Sequence, residues 1–128
     1  MSYSALDCYM KSYEMVDAGV TLHPGLPVCL RLDGKGFHNV TRHCERPFDP
    51  VLRSVMEKVT MDVLNECGAA LGYTQSDEIS LVLAPVCDLG DMYFGGRVQK
   101  LCSILASVAS VSFNKYVREL HLDSVTMP

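Results

Sequence analysis

The sequence predicts an α+β domain in which an antiparallel sheet is covered on one face by two long helices. Stretches that alternate apolar and polar residues, at 28–32 and 78–84, indicate strands, and two long stretches with helical periodicity indicate the helices. The predicted order is helix, strand, helix, strand, strand, helix. After the leading helix, this order gives five of the six elements of a ferredoxin-like unit, and the last strand is missing from the pattern.

The predicted domain has a short N-terminal part and a core. Residues 1–25 are expected to form a helix, from Ser4 to Asp17, followed by a loop with several glycines and prolines. The core extends over residues 26–116. We therefore expect residues 1–128 to form a single domain that is incomplete, because its sheet lacks the sixth element.

The first long helix has clear signals at both ends. Asp49 is a typical N-cap residue, Pro50 suits the first helical position, and Gly68 suits the residue just past a helix end. The preceding segment, residues 34–48, is polar and is predicted to be irregular.

A hairpin and a second long helix complete the predicted core. Strands at 69–75 and 78–84 are joined tightly around Ser76 and Asp77, and a loop at 85–96 follows them. The apolar stripe of the second helix is formed by Val98, Leu101, Leu105, Val108 and Ser112. The tail after His121 has no clear pattern.

The charge and the start of the chain limit the class of protein. The formal net charge is −4, with 11 Lys and Arg against 15 Asp and Glu. A domain that binds RNA along a broad face is usually basic, so either the Lys and Arg side chains that contact nucleic acid are concentrated in one place, or the main RNA contacts lie elsewhere. The chain has no long apolar run for a membrane span and no apolar region of a secretory signal at its start. We expect a cytoplasmic protein, and a mitochondrial location is not excluded.

The cysteines are scattered singly and form no C-x-x-C pair. They are Cys8, Cys29, Cys44, Cys67, Cys87 and Cys102. Without a secretory context, buried free thiols are expected rather than disulfides, and no structural zinc site is expected.

Three carboxylates are predicted to converge at one end of the sheet. Asp33 ends the first strand, and Asp77 and Glu78 begin the third. A right-handed crossover leaves room for the third strand between the first two, antiparallel to both, which brings these residues together. Converging carboxylates need a cation, and Mg²⁺ is the natural one. Asp-Gly and Ser-Asp pairs are also common in plain turns, so the pattern alone leaves both interpretations open.

Four segments between residues 26 and 116 carry more specific information. They are Arg31-Leu32-Asp33-Gly34-Lys35-Gly36-Phe37-His38, Arg46-Pro47-Phe48-Asp49, Tyr73-Thr74-Gln75-Ser76-Asp77-Glu78-Ile79-Ser80 and Phe94-Gly95-Gly96-Arg97-Val98-Gln99-Lys100-Leu101. Together they resemble the signatures of the tRNA-His guanylyltransferase family. The third segment, with Ala106-Ser107 and Phe113-Asn114, is more similar to its guanylyltransferase-like branch, which repairs shortened tRNA 5′ ends. The resemblance implies a polymerase-type palm domain that extends RNA in the 3′-to-5′ direction.

The resemblance also implies roles for individual residues. Asp33 and Asp77 would hold two Mg²⁺ ions with the backbone carbonyl of Gly34, and Glu78 would be the third catalytic carboxylate. The implied nucleotide-binding positions are Gly34, Lys35, Gly36, Phe37, His38, Arg46, Ser76, Arg97 and Lys100. Metal ions and cations placed in this way stabilise the charge that develops during phosphate transfer. Alternatively, Arg97 and Lys100 are a solvated helix face, and Phe37 is a core residue.

The implied function is Mg²⁺-dependent addition of nucleotides to the 5′ end of tRNA, with GTP or ATP as substrates, by a homo-oligomer. Family members continue well beyond the equivalent of Pro128, so activity of these 128 residues alone is left open. One alternative is a non-catalytic nucleotide-binding or assembly module built from an incomplete palm. Another is a palm-type nucleotide cyclase or polymerase. The intact carboxylates argue against the first, and the Gln-Ser-Asp-Glu hairpin argues against the second.

Overall fold

A computed structural model describes residues 4–120, in which a three-stranded antiparallel sheet packs against two long helices. The strands are β1 (Val28–Asp33), β2 (Leu71–Gln75) and β3 (Glu78–Leu83). The helices are α1 (Ala5–Ala18), α2 (Phe37–Val40), α3 (Pro50–Cys67) and α4 (Val98–Glu119). The predicted α+β class is confirmed. The tail at 121–128, in which the sequence predicts no strand, lies outside the described residues.

The strand order confirms the predicted topology. It is β1-β3-β2, so that β3 lies in the middle and runs antiparallel to both neighbours. Within residues 4–120, no strand pairs with the outer edge of β1. The register sets Asp33 directly opposite Glu78 and Gln75 opposite Glu78 on the other side. The end of β1 and the start of β3 therefore form one end of the sheet.

The core lies between the sheet and helices α3 and α4. The side chains on β3 alternate, so that Ile79, Leu81 and Leu83 are buried against the helices. The largest fully buried side chains are Leu81, Leu101, Leu105, Val55, Val59 and Val63. No helix of the described residues is long and apolar enough to cross a membrane.

The segment predicted to be irregular, residues 34–48, is partly helical. Helix α2 and a 3₁₀ turn at Thr41–His43 occupy its middle. The ring of Phe37 packs edge-on against that of Phe113 on α4, with centroids 5.0 Å apart. This contact with a residue far along the chain anchors the short helix, and local sequence gives no sign of it. The predicted loop at 85–96 likewise contains 3₁₀ turns, at Leu89–Asp91 and Tyr93–Gly96.

The prediction that the cysteines are buried is wrong for most of them. All six are free thiols, but Cys67 is buried and Cys44 half-buried, whereas the others are exposed: Cys8, Cys29, Cys87 and Cys102. Cys29 lies on the face of the sheet away from the helices, because its neighbours Val28 and Leu30 point towards them. Apolar neighbours in the sequence therefore did not specify whether a cysteine lies on the face of the sheet that the helices cover.

The N-cap of α3 supports a prediction about stability. The Asp49 carboxylate accepts hydrogen bonds from the backbone N–H groups of Leu52 (2.9 Å), Glu45 (3.0 Å) and Val51 (2.8 Å), which hold its pKa below the usual range. Asp49→Ala should lower the free energy of unfolding by about 1–2 kcal/mol at neutral pH, as loss of a helix cap does. Asp49→Asn should retain most of the free energy of unfolding that the helix cap contributes. Urea denaturation followed by circular dichroism measures both.

The pH dependence of the Asp49 contribution follows from the lowered pKa. The contribution is fully present above the unfolded-state pKa of about 4 and is lost as the pH falls through the lower pKa of the folded state. Asp91→Ala is a suitable control, because Asp91 is exposed and lies outside the long helices. A parent protein and Asp49→Ala variant of equal stability at pH 7 would contradict the assigned cap.

Candidate functional site

The structure brings the three predicted carboxylates to one end of the sheet. Asp33 is the last residue of β1, Glu78 is its partner on β3, and Asp77 precedes Glu78 in the turn. The backbone N–H of Gly34 donates to the carbonyl of Asp77 at 3.2 Å, which ties the chain after β1 to this turn. Ser76, the other turn residue, has a left-handed backbone with φ of 55°. The convergence predicted from topology is therefore confirmed.

A cavity of about 370 Å³ opens at this end of the sheet, between the sheet, α3 and α4. Its lining residues are Leu32, Asp33, Gly34, Lys35, Phe37, Val40, Met56, Val59, Asp77, Ile79, Ala106, Ala109, Ser110, Phe113 and Asn114. Most of this lining is apolar, while the two aspartates and a lysine belong to the segments at the sheet end. A cavity of this kind suits a ligand with a flat apolar part and a charged part.

Glycine is required at the start of the segment that closes the cavity. A Cβ on Gly34 would collide with the ring of Phe37, so a larger residue would displace that ring. Gly36 has φ of 64°, in the left-handed region that favours glycine. These two positions let the chain turn sharply after Asp33. Phe37 both lines the cavity and packs on Phe113, which supports the core role that the sequence left open for it.

Glu78 faces away from the cavity. Its carboxylate forms an ion pair with Arg31, with Nη2 and Oε2 2.8 Å apart, on the sheet face opposite the helices. Arg31 and Asp33 are two residues apart on β1 and therefore lie on the same face. The sequence analysis did not identify Arg31 as a site residue. Its position two residues before Asp33 on a predicted strand nevertheless indicated that the two side chains lie on the same face of the sheet.

Several predicted site residues do not line the cavity. His38, Arg46 and Ser76 are exposed near the sheet end, in α2, the loop before α3 and the hairpin. Arg97 and Lys100 lie at the start of α4, whereas the cavity is lined from Ala106 onwards. Lys100 precedes Ala106 by about 9 Å along the helix axis, from the rise of 1.5 Å per residue. Contacts of these residues with phosphate remain predictions.

Sequence reasoning missed the polar residues that α4 contributes to the cavity. Ser110 and Asn114 line it, and the Nδ2 group of Asn114 donates to the carbonyl of Ser110 at 2.9 Å. A signal was available, since Phe113-Asn114 was one of the segments that resembled the guanylyltransferase-like branch.

The oxygen atoms at the rim of the cavity fit a magnesium ion that arrives with its ligand. Within residues 4–120, no group of three or more His, Cys, Asp and Glu side chains is arranged to hold a metal ion. Asp33 and Asp77 nevertheless lie on the same rim, beside the backbone of Gly34. Mg²⁺ is usually bound by one or two carboxylates, with water and substrate phosphates completing the shell. The donor set therefore suits a metal bound together with a phosphorylated substrate.

Comparison with sequence families and curated proteins gives consistent matches. A sequence model of the tRNAHis guanylyltransferase family matches residues 7–127. The chain is 41% identical over 99 residues to an uncharacterised protein of Acanthamoeba polyphaga mimivirus, covering 72% of this chain and 34% of that protein. It is 31% identical over 111 residues to the tRNA(His) guanylyltransferase of Schizosaccharomyces pombe, covering 84% of this chain and 41% of that enzyme.

Solved structures with the same fold include two nucleotide complexes of a bacterial tRNA(His) guanylyltransferase-like protein. The complex with GTP has a TM-score of 0.76 and 33% sequence identity, covering 91% of this chain and 54% of that one. The complex with ATP has a TM-score of 0.81 and 34% identity, covering 93% and 52%. This chain thus spans about half the length of these bacterial chains and less of the curated relatives.

Proposed function

Because the chain belongs to the tRNAHis guanylyltransferase family, we propose that it is the nucleotide-binding, catalytic part of an enzyme that adds nucleotides to the 5′ end of tRNA. The observation that carries this proposal is the position of Asp33 and Asp77 on the rim of a largely apolar cavity. This arrangement offers separate places for the two halves of a nucleoside triphosphate. The bacterial relatives in complex with GTP and ATP support the choice of ligand.

The proposed pose follows from the charges around the cavity. The base enters the apolar part, between Met56 on α3 and Ala109 on α4, and the triphosphate remains at the rim. Lys35 lines the cavity as the two aspartates do, and its ammonium group would offset phosphate charge. The backbone of Gly34 approaches the phosphates without the obstruction of a side chain. Mg²⁺ held by Asp33 and Asp77 would supply charge neutralisation for the phosphate oxygens.

The proposed chemistry needs little from the protein beyond positioning and charge. In nucleotidyl transfer an oxygen nucleophile attacks phosphorus, while negative charge spreads over the phosphate oxygens and the leaving group. Lys35 lies where that charge would accumulate, and the turn at Gly34 and Gly36 fixes the backbone next to it. In the family chemistry the 3′-hydroxyl of the incoming nucleotide attacks the 5′ phosphate of an RNA end that ATP or GTP has activated, and the activating group leaves.

Self-association is a further part of the proposal. Helix α1 exposes large apolar side chains, at Leu6, Tyr9, Met10, Tyr13, Met15 and Val16. Surfaces of this kind are usually covered in an assembly, and sedimentation velocity shows whether the chain is larger than a monomer. An entirely monomeric chain would remove this part of the proposal.

A nucleotide-extension assay tests the proposed function. The chain is incubated with Mg²⁺, ATP, α-³²P-labelled GTP and a tRNA that lacks its 5′ nucleotide and carries a 5′ monophosphate. The products are separated on a denaturing gel. We expect a labelled tRNA one nucleotide longer, which disappears when EDTA is added. An intact tRNA of the same sequence is the matched control.

A non-catalytic nucleotide-binding module is the second candidate, because the chain covers 41% or less of the length of its curated relatives. Binding of Mg²⁺–GTP without extension, even when the remainder of a longer chain is present, would favour that module. Absence of both binding and extension would contradict the proposed function.

A further inference from the structure

One face of the sheet packs against α3 and α4, and the other face is uncovered within residues 4–120. The uncovered face, called the open face below, consists of three rows that cross the strands. The rows are Cys29, Val82 and Leu71; Arg31, Ser80 and Tyr73; and Asp33, Glu78 and Gln75. Leu71 and Tyr73 expose 59% and 58% of their surface. The open face therefore combines large exposed side chains with the carboxylate end of the sheet.

The middle row forms a shallow trough. Ser80 on the central strand is small, while its neighbours Tyr73 on β2 and Arg31 on β1 are large. Two strand spacings separate Tyr73 from Arg31, so the trough is about 9.5 Å wide between the backbones. The row that contains Asp33 lies two residues further along the strands, at a distance of about 6.7 Å. A separation of about 6.7 Å is close to the distance between the base and the 5′ phosphate of one nucleotide.

The side chains of Tyr73 and Arg31, on the two sides of the trough, both point towards the carboxylate end of the sheet. The Tyr73 hydroxyl donates to Oε1 of Gln75 at 3.1 Å, and Arg31 pairs with Glu78 at 2.8 Å. These contacts hold the tyrosine ring and the guanidinium group in place on the open face. The floor between them, at Ser80, ends at Asp33 and Glu78. An aromatic ring that no residue of the described range 4–120 covers thus lies one row away from the predicted catalytic carboxylates.

We propose that this trough holds the terminal nucleotide of the RNA acceptor, with its base stacked on the ring of Tyr73. The inference rests on the proposed function, since it names where the second substrate of the same site lies. Exposed aromatic residues on sheets are a common platform for single-stranded RNA bases. The net charge of −4 favours stacking as a source of affinity, because domains that bind RNA along a broad face are usually basic.

The charges on the open face also set the orientation of the nucleotide. Arg31 offsets the charge of Glu78, so Asp33 is the carboxylate of this row that repels a phosphate, and Mg²⁺ bound at Asp33 would let the 5′ phosphate approach the row. The base then extends away from the carboxylates, over Ser80 and against Tyr73. The triphosphate of the incoming nucleotide, on the cavity side of Asp33, approaches the same row from the other face of the sheet end.

A fluorescent base at the RNA 5′ end tests this placement. The probe is a short RNA hairpin with a 5′ phosphate and 2-aminopurine as its first, unpaired nucleotide, whose fluorescence is quenched by stacking. It is titrated with the 128-residue chain in Mg²⁺. The variants are Tyr73→Thr, which keeps a strand-forming residue, and Tyr73→Phe, which keeps the ring. Leu71→Thr is the matched control, since Leu71 is 59% exposed on the same strand and face but lies outside the middle row.

We expect quenching with the parent chain, Tyr73→Phe and Leu71→Thr, and loss of quenching with about tenfold weaker binding for Tyr73→Thr, the size of one lost stack. Calorimetric binding of Mg²⁺–GTP should be the same for all four proteins. Equal quenching by the parent and Tyr73→Thr overturns the placement, and so does RNA binding by the parent without quenching. A parent chain that binds neither RNA nor Mg²⁺–GTP overturns the proposed function as well, which separates the two failures.

Discussion

Replacing Asp33 or Asp77 by asparagine is expected to abolish Mg²⁺-dependent GTP binding while the fold remains intact. Both carboxylates lie on the rim of the cavity and not in the core, so their loss removes metal ligands without creating a packing defect. A lost carboxylate ligand should weaken binding on the order of 100-fold, or about 3 kcal/mol. Isothermal titration calorimetry of GTP with and without Mg²⁺ measures the effect.

Two controls separate this result from general damage. Asp91→Asn removes an exposed carboxylate that does not line the cavity. This variant should bind Mg²⁺–GTP like the parent. Circular dichroism should give the same spectrum for all variants. If Asp33→Asn and Asp77→Asn bound Mg²⁺–GTP as tightly as the parent, the assignment of these residues as metal ligands would be wrong.

The largest expected loss of stability comes from Leu81→Ala. Leu81 lies in the middle of the central strand and is fully buried, with 0% of its surface exposed. Truncation of such a leucine removes buried apolar area and leaves a cavity, which costs about 2–5 kcal/mol. A domain of this size is stable by roughly 5–15 kcal/mol, so the variant should unfold at a much lower urea concentration.

Leu71→Ala is the matched control for this prediction. The same substitution in the same sheet removes a side chain that is 59% exposed on the open face, and it should cost less than about 1 kcal/mol. Equal losses for the two variants would mean that Leu71 is covered as well, by another chain or by residues outside the described range. Urea denaturation followed by circular dichroism distinguishes these outcomes.

The predicted site shows which features of a site the strand topology can specify. The meeting of Asp33, Asp77 and Glu78 followed from topology, because the crossover makes the first two strands parallel and the tight hairpin returns the third strand antiparallel to both. The direction of each carboxylate did not follow. Asp33 and Glu78 share a row of the open face, where Glu78 pairs with Arg31, and Asp33 also lines the cavity together with Asp77 at the end of the sheet. Strand order brings residues to one end of a sheet, but side-chain contacts decide which partners they find there.

The sequence by itself determined the elements whose signals act within a few residues. The cap at Asp49, the helix end at Gly68 and the hairpin around Ser76 and Asp77 are all where local patterns predict them. Caps and turns depend on hydrogen bonds between near neighbours in the chain, so a short stretch is enough to specify them.

Tertiary structure alone decided the features that depend on which surfaces are covered. Helix α2 is anchored by the contact of Phe37 with Phe113, and Cys29 is exposed because the helices cover the other face of the sheet. The same packing places the cavity against the later turns of α4, from Ala106 onwards, and not against its first turn at Lys100. Burial depends on elements that are distant in sequence, and no local pattern specifies how those elements meet.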